Sequence, residues 1–311
     1  MPQDYAEAIA WYRKSAEQGN VDAQFNLGCL YDDGLGARKN YVQAAAWFLR
    51  AAEQGHVWAQ FNIGKAYDNG QGVPQDYVQA AAWYRKAAEQ GHAHAQFKLG
   101  WLYNTGQGVQ KSHGREAAWY RKAADQGDPD AQFNLGERYR TGQGVPKDYR
   151  QAVDWYRKAA RQNNAWAQTN LGVLYEKGLG VPKSYTKAAA WYRKAAEQGD
   201  SLAQVNLGVF YDHGQGVRKD YKQAAAWYRK AAKQGNLRAQ SNLSESYVKG
   251  QGVRKSYADA YFWLSLAAPE MKGKERRVAE RALEVVGAKL TTANLSKTKN
   301  RAKQWIPQVP A

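Results

Sequence analysis

Residues Ala59 to Gly91 read A-Q-F-N-I-G-K-A-Y-D-N-G-Q-G-V-P-Q-D-Y-V-Q-A-A-A-W-Y-R-K-A-A-E-Q-G, and the same pattern returns along most of the chain. Tryptophan gives the period: Trp11, Trp47, Trp83, Trp119, Trp155, Trp191, Trp227 and Trp263 stand 36 residues apart. A tyrosine precedes nearly every one by six residues (Tyr5, Tyr41, Tyr77, Tyr149, Tyr185, Tyr221 and Tyr257), with His113 taking its place once. Leu27, Ile63, Leu99, Leu135, Leu171, Leu207 and Leu243 keep the same interval. A period this strict specifies a stack of like supersecondary units, each burying its apolar face against its neighbours.

Each unit divides into two helices. At about 100° per residue, Ala23, Leu27, Leu30 and Tyr31 share one face. Tyr41, Ala44, Trp47, Phe48, Ala51 and Ala52 cluster likewise in the second helix, while Gln43, Arg50 and Glu53 point outward. Asp76, Asp148 and Asp220, or Ser112, Ser184 and Ser256, stand where the second helix needs an N-cap. Gly55, Gly91, Gly127, Gly199 and Gly235 follow it, where a residue tolerating positive φ ends a helix.

Positions equivalent to 19, 28, 34 and 36 hold 26 of the 29 glycines; Gly114, Gly273 and Gly287 are the others. The recurring G-x-G-V segments resemble phosphate-cradling loops only on the surface. They follow a helix rather than a strand, and none completes G-x-G-x-x-G, so they read as interhelix turns. Gly28 and its equivalents fall mid-helix, where glycine costs about 1 kcal/mol, which implies a close helix–helix approach.

The length of 311 residues suggests about two ordinary domains, and 44% hydrophobic with 23% charged residues argues against disorder. Mean hydropathy is -0.78, and no apolar run nears the roughly 18 residues of a membrane span. The single cysteine, Cys29, excludes an internal disulfide framework. The net charge of +17 is lopsided: residues 1–127 hold 13 basic and 12 acidic side chains, residues 128–311 hold 32 and 16. Such a half suits a polyanion, an acidic protein surface or anionic lipid; the plain reading is a solubilising surface.

The pattern A-Q-F-N-L-G…Y-x-x-G-x-G-V…W-Y-R-K-A-A-E-Q-G resembles that of Sel1-like repeats, relatives of the tetratricopeptide repeat, over about residues 1–271. The resemblance implies an all-α, right-handed superhelical solenoid of antiparallel helix pairs, with first helices on the concave side and second helices on the convex side. It also implies an adaptor that holds other proteins together, exported in many bacterial members, with a few members linked to peptidoglycan fragments or β-lactams. The cysteine-rich branch of the family carries a disulfide per repeat, from which this chain departs.

The expected organisation is an incomplete N-terminal half-repeat over 1–19, seven helix pairs over 20–271, and C-terminal capping helices with a tail over 272–311. The opening Met1-Pro2-Gln3-Asp4-Tyr5 matches Val73-Pro74-Gln75-Asp76-Tyr77 apart from its first residue. The chain is therefore expected to open inside a repeat, behind a longer natural N-terminus, so that the lack of a leader here says nothing about export. A helix from Asp4 to Gln18 without its partner should then expose Ile9 or Trp11.

Candidate chemistry is thin. Ser184-Tyr185-Thr186-Lys187 and Ser296-Lys297-Thr298-Lys299 match S-x-x-K but lack S-D-N and K-T-G, and Ser184 already serves as an N-cap. His92 and His94 do not share a helix face, and His56, His113 and His213 lie in other units, so surface histidines are expected rather than a metal centre. Cys29 reads as a bland thiol on the variable face. Arg-Lys pairs recur at 13–14, 85–86, 121–122, 157–158, 193–194 and 229–230 on outward faces, either as drift or as a polyanion-binding ridge.

What varies between units is informative. First-helix positions equivalent to 22, 25 and 29 lie opposite the buried face. They supply the candidate groove: Trp58, Phe61, Lys65, His94, Phe97, Trp101, Phe133, Glu137 and Trp166. Exposed tryptophan is enriched at binding hot spots; the competing reading is lateral packing between first helices. Trp83, Trp119 and Trp191 are expected to be largely buried between helices, Trp58, Trp101 and Trp166 at least partly exposed on one concave wall. The function expected is a non-enzymatic scaffold that binds a protein or peptide in the groove, with no catalytic residue, metal or cofactor. The alternatives are polyanion or peptidoglycan-fragment binding through the basic half, and a weak cell-wall or β-lactam hydrolase. A transmembrane segment and nucleic acid are not expected; export to the periplasm or beyond follows from the resemblance alone.

Overall fold

The computed structural model describes residues 5–308, so expectations for Met1 to Asp4 and for residues 309–311 lie outside the described residues. These contain seventeen α-helices and no strand. The chain forms two compact units that meet in sequence at Ala159 and Ala160. The first holds α1 (Tyr5–Glu17), α2 (Val21–Asp33), α3 (Tyr41–Glu53), α4 (Val57–Asn69), α5 (Tyr77–Glu89), α6 (Ala93–Thr105), α7 (His113–Asp125), α8 (Pro129–Thr141) and most of α9 (Tyr149–Arg161). The second holds α10 (Ala165–Lys177), α11 (Tyr185–Glu197), α12 (Ser201–His213), α13 (Tyr221–Lys233), α14 (Leu237–Lys249), α15 (Tyr257–Ala267), α16 (Gly273–Gly287) and α17 (Thr292–Lys303), with a short 3-10 turn at Ala268–Glu270. Successive helices pack in order, α1 on α2 through α7 on α8 in the first unit and α10 on α11 through α14 on α15 in the second, where α15 also carries α16 and α17; this is an all-α solenoid.

The punctuation sits where the spacing places it. Asp76 caps α5 by accepting from the N–H groups of Val78 and Gln79, and Ser184 caps α11 by accepting from Lys187 N. Gly55 ends its helix pair at φ 93°, and Asn163 performs the same turn at φ 63°. In each G-x-G the first glycine is the left-handed C-cap of the first helix, as Gly70 is for α4. The second is forced by proximity: a Cβ on Gly72 would stand 2.0 Å from the Tyr41 carbonyl oxygen of the preceding repeat.

Tryptophan is not the deepest aromatic of the unit; the tyrosine after it is, with Tyr84, Tyr120, Tyr156 and Tyr192 fully buried. Trp83 is buried, and Trp119 and Trp191 pack against the core with less complete cover. Their rings form the outer edge of the core, and the lysine three residues on lies across them, Lys122 at 4.1 Å and Lys194 at 4.8 Å. On α1 the expected exposure falls on Trp11, at 66% against 7% for Trp47, while Ile9 is buried.

A glutamine ladder stitches successive helices. Gln60 Nε2 donates to the Ala52 carbonyl at 3.2 Å, and Gln90 Nε2 donates to Gln60 Oε1 at 2.8 Å. The first unit repeats this at Gln24 and Gln54 and at Gln96 and Gln126; the second at Gln168 and Gln198 and at Gln204 and Gln234. Gln240 Oε1 is buried without a partner. The ladder stops there because Glu270, after Pro269, stands where the next glutamine would be.

The recurring Arg-Lys pairs also have work inside the fold. The lysine covers its tryptophan, and the arginine bonds a tyrosine hydroxyl of the following first helix: Arg85 to Tyr103 at 2.8 Å, Arg193 to Tyr211 at 2.8 Å and Arg229 to Tyr247 at 3.1 Å.

Candidate functional site

In the first unit the variable face is carried by α4, α6 and α8. Trp58, at the start of α4, is 57% exposed, and Lys65 and His94 are exposed too. Phe61 is half-buried and stacks on the His92 ring at 4.6 Å, while Trp58 meets the same ring nearly at right angles at 4.4 Å. His94 closes the group, 6.4 Å from Phe61 between ring centroids. Trp58, Phe61 and His94 are thus brought together around His92.

The other candidates are placed differently. Phe97 stacks on Tyr120 and Phe133 leans on Tyr156, so both face the core as much as the surface. Trp101 is half-buried against the cluster formed by α5 and α6. Glu137 is held by Arg140 and by the Tyr156 hydroxyl. Trp166, in the second unit, is 62% exposed on α10.

His92 was not among the candidates and is not a surface histidine: it is only 8% exposed. It is the N-cap of α6, its Nδ1 accepting from Ala95 N at 3.1 Å. That bond leaves the proton on Nε2, which is buried without a partner. Burial, and then the neighbouring His94, push its pKa below the usual histidine value. The signal was in the sequence, since Asn20, His56, His92, Asp128, Asn164, Asp200 and Asn236 all precede a first helix and all cap it. His56 repeats the arrangement, stacking on Phe25 at 4.4 Å.

Charges line the floor between first helices. Asp68 is buried, accepts from the Tyr84 hydroxyl at 3.1 Å and faces Lys98 Nζ at 3.7 Å. Glu116 is fully buried between Arg138 at 3.2 Å and His113 at 2.9 Å. His94 Nε2 lies 3.8 Å from buried Asp128. Burial and Asp128 hold the Asp130 carboxyl above its usual range, partly offset by His94.

The groups considered for covalent chemistry are otherwise engaged or muted. Ser184 Oγ is occupied in its cap, and Cys29 is half-buried with its thiol pushed up to about 11, chiefly by burial and then by Asp33 and Asp32. Among the described residues no three His, Cys, Asp or Glu side chains converge as a metal cluster would. No helix of the described residues is long and apolar enough to cross a membrane.

Two solved structures bear on this arrangement. A Sel1 repeat protein from Oxalobacter formigenes is 36% identical, over 89% of this chain and 79% of its own, with a TM-score of 0.72. The protective antigen c5321 of uropathogenic Escherichia coli strains, which displays the same fold, is 34% identical over 99% of this chain and 81% of its own, with a TM-score of 0.50. None of the curated proteins compared matches the chain. The Sel1 repeat itself matches residues 1–20, 21–56, 59–92, 93–128, 129–164, 167–200, 201–236 and 237–268. Stacked helix pairs, their caps and glycines, and these eight matches together make the chain a member of the Sel1 repeat family, whose proteins are generally protein-interaction scaffolds.

Proposed function

We propose that the protein is a non-enzymatic scaffold that binds a peptide or protein along the first-helix face of its first unit, centred on Trp58, Phe61 and His94. The observation that carries this is Trp58: a tryptophan outside the repeat pattern, more than half exposed and braced edge-on against a buried histidine. A large, pre-ordered aromatic surface loses little side-chain entropy on binding. Lys65, Phe97, Trp101, Phe133 and Glu137 extend the face, and Trp166 offers a similar exposed ring in the second unit. Within residues 272–311, α16 and α17 serve as the closing cap of the array.

A photo-crosslinking amino acid at position 58 or 94, introduced in cells producing the protein, tests this. Discrete adducts are expected at these positions and not at the exposed second-helix position Gln79. Adducts at Gln79 alone would overturn the proposal.

One observation favours a second reading. An open cleft of about 850 Å³ in the second unit is lined by Arg193, Arg218, Lys219 and Lys222 against the single carboxylate Asp220. This edge suits a polyanion, and steeply salt-dependent retention on heparin, lost on reversing Arg218 and Lys219, would support it.

A further inference from the structure

The second unit carries another surface, unrelated to the aromatic face. α14 and α16 both pack on α15 and leave between them a cavity of about 750 Å³. α16 is aliphatic on two stripes. Ala279 and Val286 are buried and line the cavity from the first stripe, while Ala282 and Leu283 pack against the cluster of Leu264, Ala268 and Ala279. Val278 and Val285, two turns apart on the second stripe, line it too and are 60% and 64% exposed. Leu264 and Val248 add further apolar wall, and Ser241 contributes a buried hydroxyl with no hydrogen-bond partner. Two exposed valines aligned on an aliphatic wall form an unfilled apolar patch.

The rim identifies the occupant. Arg238, Lys274 and Arg281 border the cavity, and none of them makes an ion pair among the described residues. Of the two bordering carboxylates, Glu245 is bound by Lys249, which leaves Glu275 as the unpaired acid. Residues 160–311 hold 26 basic and 11 acidic side chains, a net of +15. A second copy of this unit would bring like charge to an already basic rim, which disfavours self-association.

We propose that the α14–α16 cavity is a docking site for an acidic peptide segment of another protein that inserts aliphatic side chains between Val248 and Val285 and sets its carboxylates against Arg238, Lys274 and Arg281. Aliphatic anchors supply affinity in such grooves, and the charged rim supplies orientation and rate of association.

Selection from a random twelve-residue peptide library displayed on phage tests this with the full chain. The most enriched sequence, made as a labelled synthetic peptide, is titrated against wild type, Val278→Asp/Val285→Asp, Arg281→Glu and Trp58→Ala. Both valines are exposed, so the double variant keeps its fold, which a thermal melt checks. Enriched sequences should combine aliphatic residues with Asp or Glu, bind the double variant at least tenfold more weakly and Arg281→Glu severalfold more weakly, and bind Trp58→Ala unchanged. Absence of enrichment, enrichment of basic sequences, or equal binding by the double variant overturns the proposal. So does a dimer, or binding to anionic phosphatidylglycerol vesicles, that the double variant abolishes in the absence of peptide. Because the aromatic face is intact in the double variant, failure here leaves the scaffold reading of the first unit untouched.

Discussion

Gly64 of α4 lies against the ring of Tyr84 of α5, so closely that a Cβ added there would stand 2.7 Å from the ring. The same pairing holds for Gly100 with Tyr120 and Gly136 with Tyr156, and in the second unit for Gly172 with Tyr192 and Gly208 with Tyr228. The last repeat shows the rule by exception. Leu264 replaces the tyrosine, and Ser244 replaces the glycine, its hydroxyl donating to the Ala260 carbonyl. A mid-helix glycine is therefore tied to a flat, fully buried ring twenty residues on.

Gly64→Ala sets two effects against each other. Helix propensity favours alanine by about 1 kcal/mol. The clash is with a rigid ring that is itself 0% exposed and hydrogen-bonded to Asp68, so it cannot swing away. Overpacking of this kind costs about 1–3 kcal/mol, so net destabilisation is expected in urea unfolding.

Gly114→Ala is the matching control. Gly114 lies in α7, exposed, and a Cβ there meets nothing within 4 Å. With no clash, propensity and the reduced freedom of the unfolded chain act alone. Stabilisation of about 0.5–1 kcal/mol is expected, read as a higher urea midpoint. A loss of stability would show that helix propensity in the first turn of α7 does not decide the outcome.

The glutamine ladder gives a third expectation. Gln60→Leu removes the side-chain donor to the Ala52 carbonyl, which keeps the Gly55 N–H, and one acceptor of the Gln90 amide, which keeps the Gly55 carbonyl. Losing a hydrogen bond whose partner keeps another costs about 0.5–1.5 kcal/mol, and two are lost here. Gln90→Ala should cost less, because Gln90 is exposed and water replaces it. Equal losses for both would mean that the ladder acts through packing alone.

How far the sequence led depended on whether a position repeats. The period, the two helices, the caps at Asp76 and Ser184 and the turn glycines recur in every unit, so each was constrained several times over. The close approach at Gly64 was legible for the same reason, as a recurring glycine where propensity disfavours one. For Trp119 periodicity reported that its face is buried but not how deeply, and the lysine three residues on takes part of the cover. His92 was missed because the cap position changes chemistry from repeat to repeat, Asn20, His92 and Asp128 doing one job. One wall of the α14–α16 cavity, α16, lies past the last repeat, where no period remained to read.

His92 should make stability depend on pH. Its pKa is lowered in the folded protein, so between that value and the unfolded value near 6.5 the unfolded chain binds the extra proton. Its contribution is fully present above about pH 6.5 and lost as pH falls through the folded value. The facing groups are His94, a second potential cation, with Trp58 and Phe61, which offer no counter-charge. His92→Asn keeps a competent cap, as Asn164 and Asn236 show. Melting at pH 7.5 and 5.5 should therefore show a smaller acid-induced drop for the variant than for wild type. Equal drops would assign the acid sensitivity to other groups.

Trp83 and Trp58 separate structural from ligand-facing aromatics. Trp83 is buried at 8% within the first core cluster, under Lys86 at 3.9 Å. Trp83→Ala opens a cavity that neighbouring alanines cannot fill, at a cost of about 3–5 kcal/mol. Trp58 is 57% exposed and has one notable partner ring, His92. Its replacement loses an aromatic contact worth about 0.5–1.5 kcal/mol and little apolar burial. Chemical denaturation of the two variants should therefore differ by at least twofold in lost stability, with the crosslinking pattern of the first unit intact in neither. Trp83→Ala loses it through weakened packing and Trp58→Ala through the missing contact alone. A Trp58→Ala protein as unstable as Trp83→Ala would identify Trp58 as a packing residue and remove the observation on which the scaffold proposal stands.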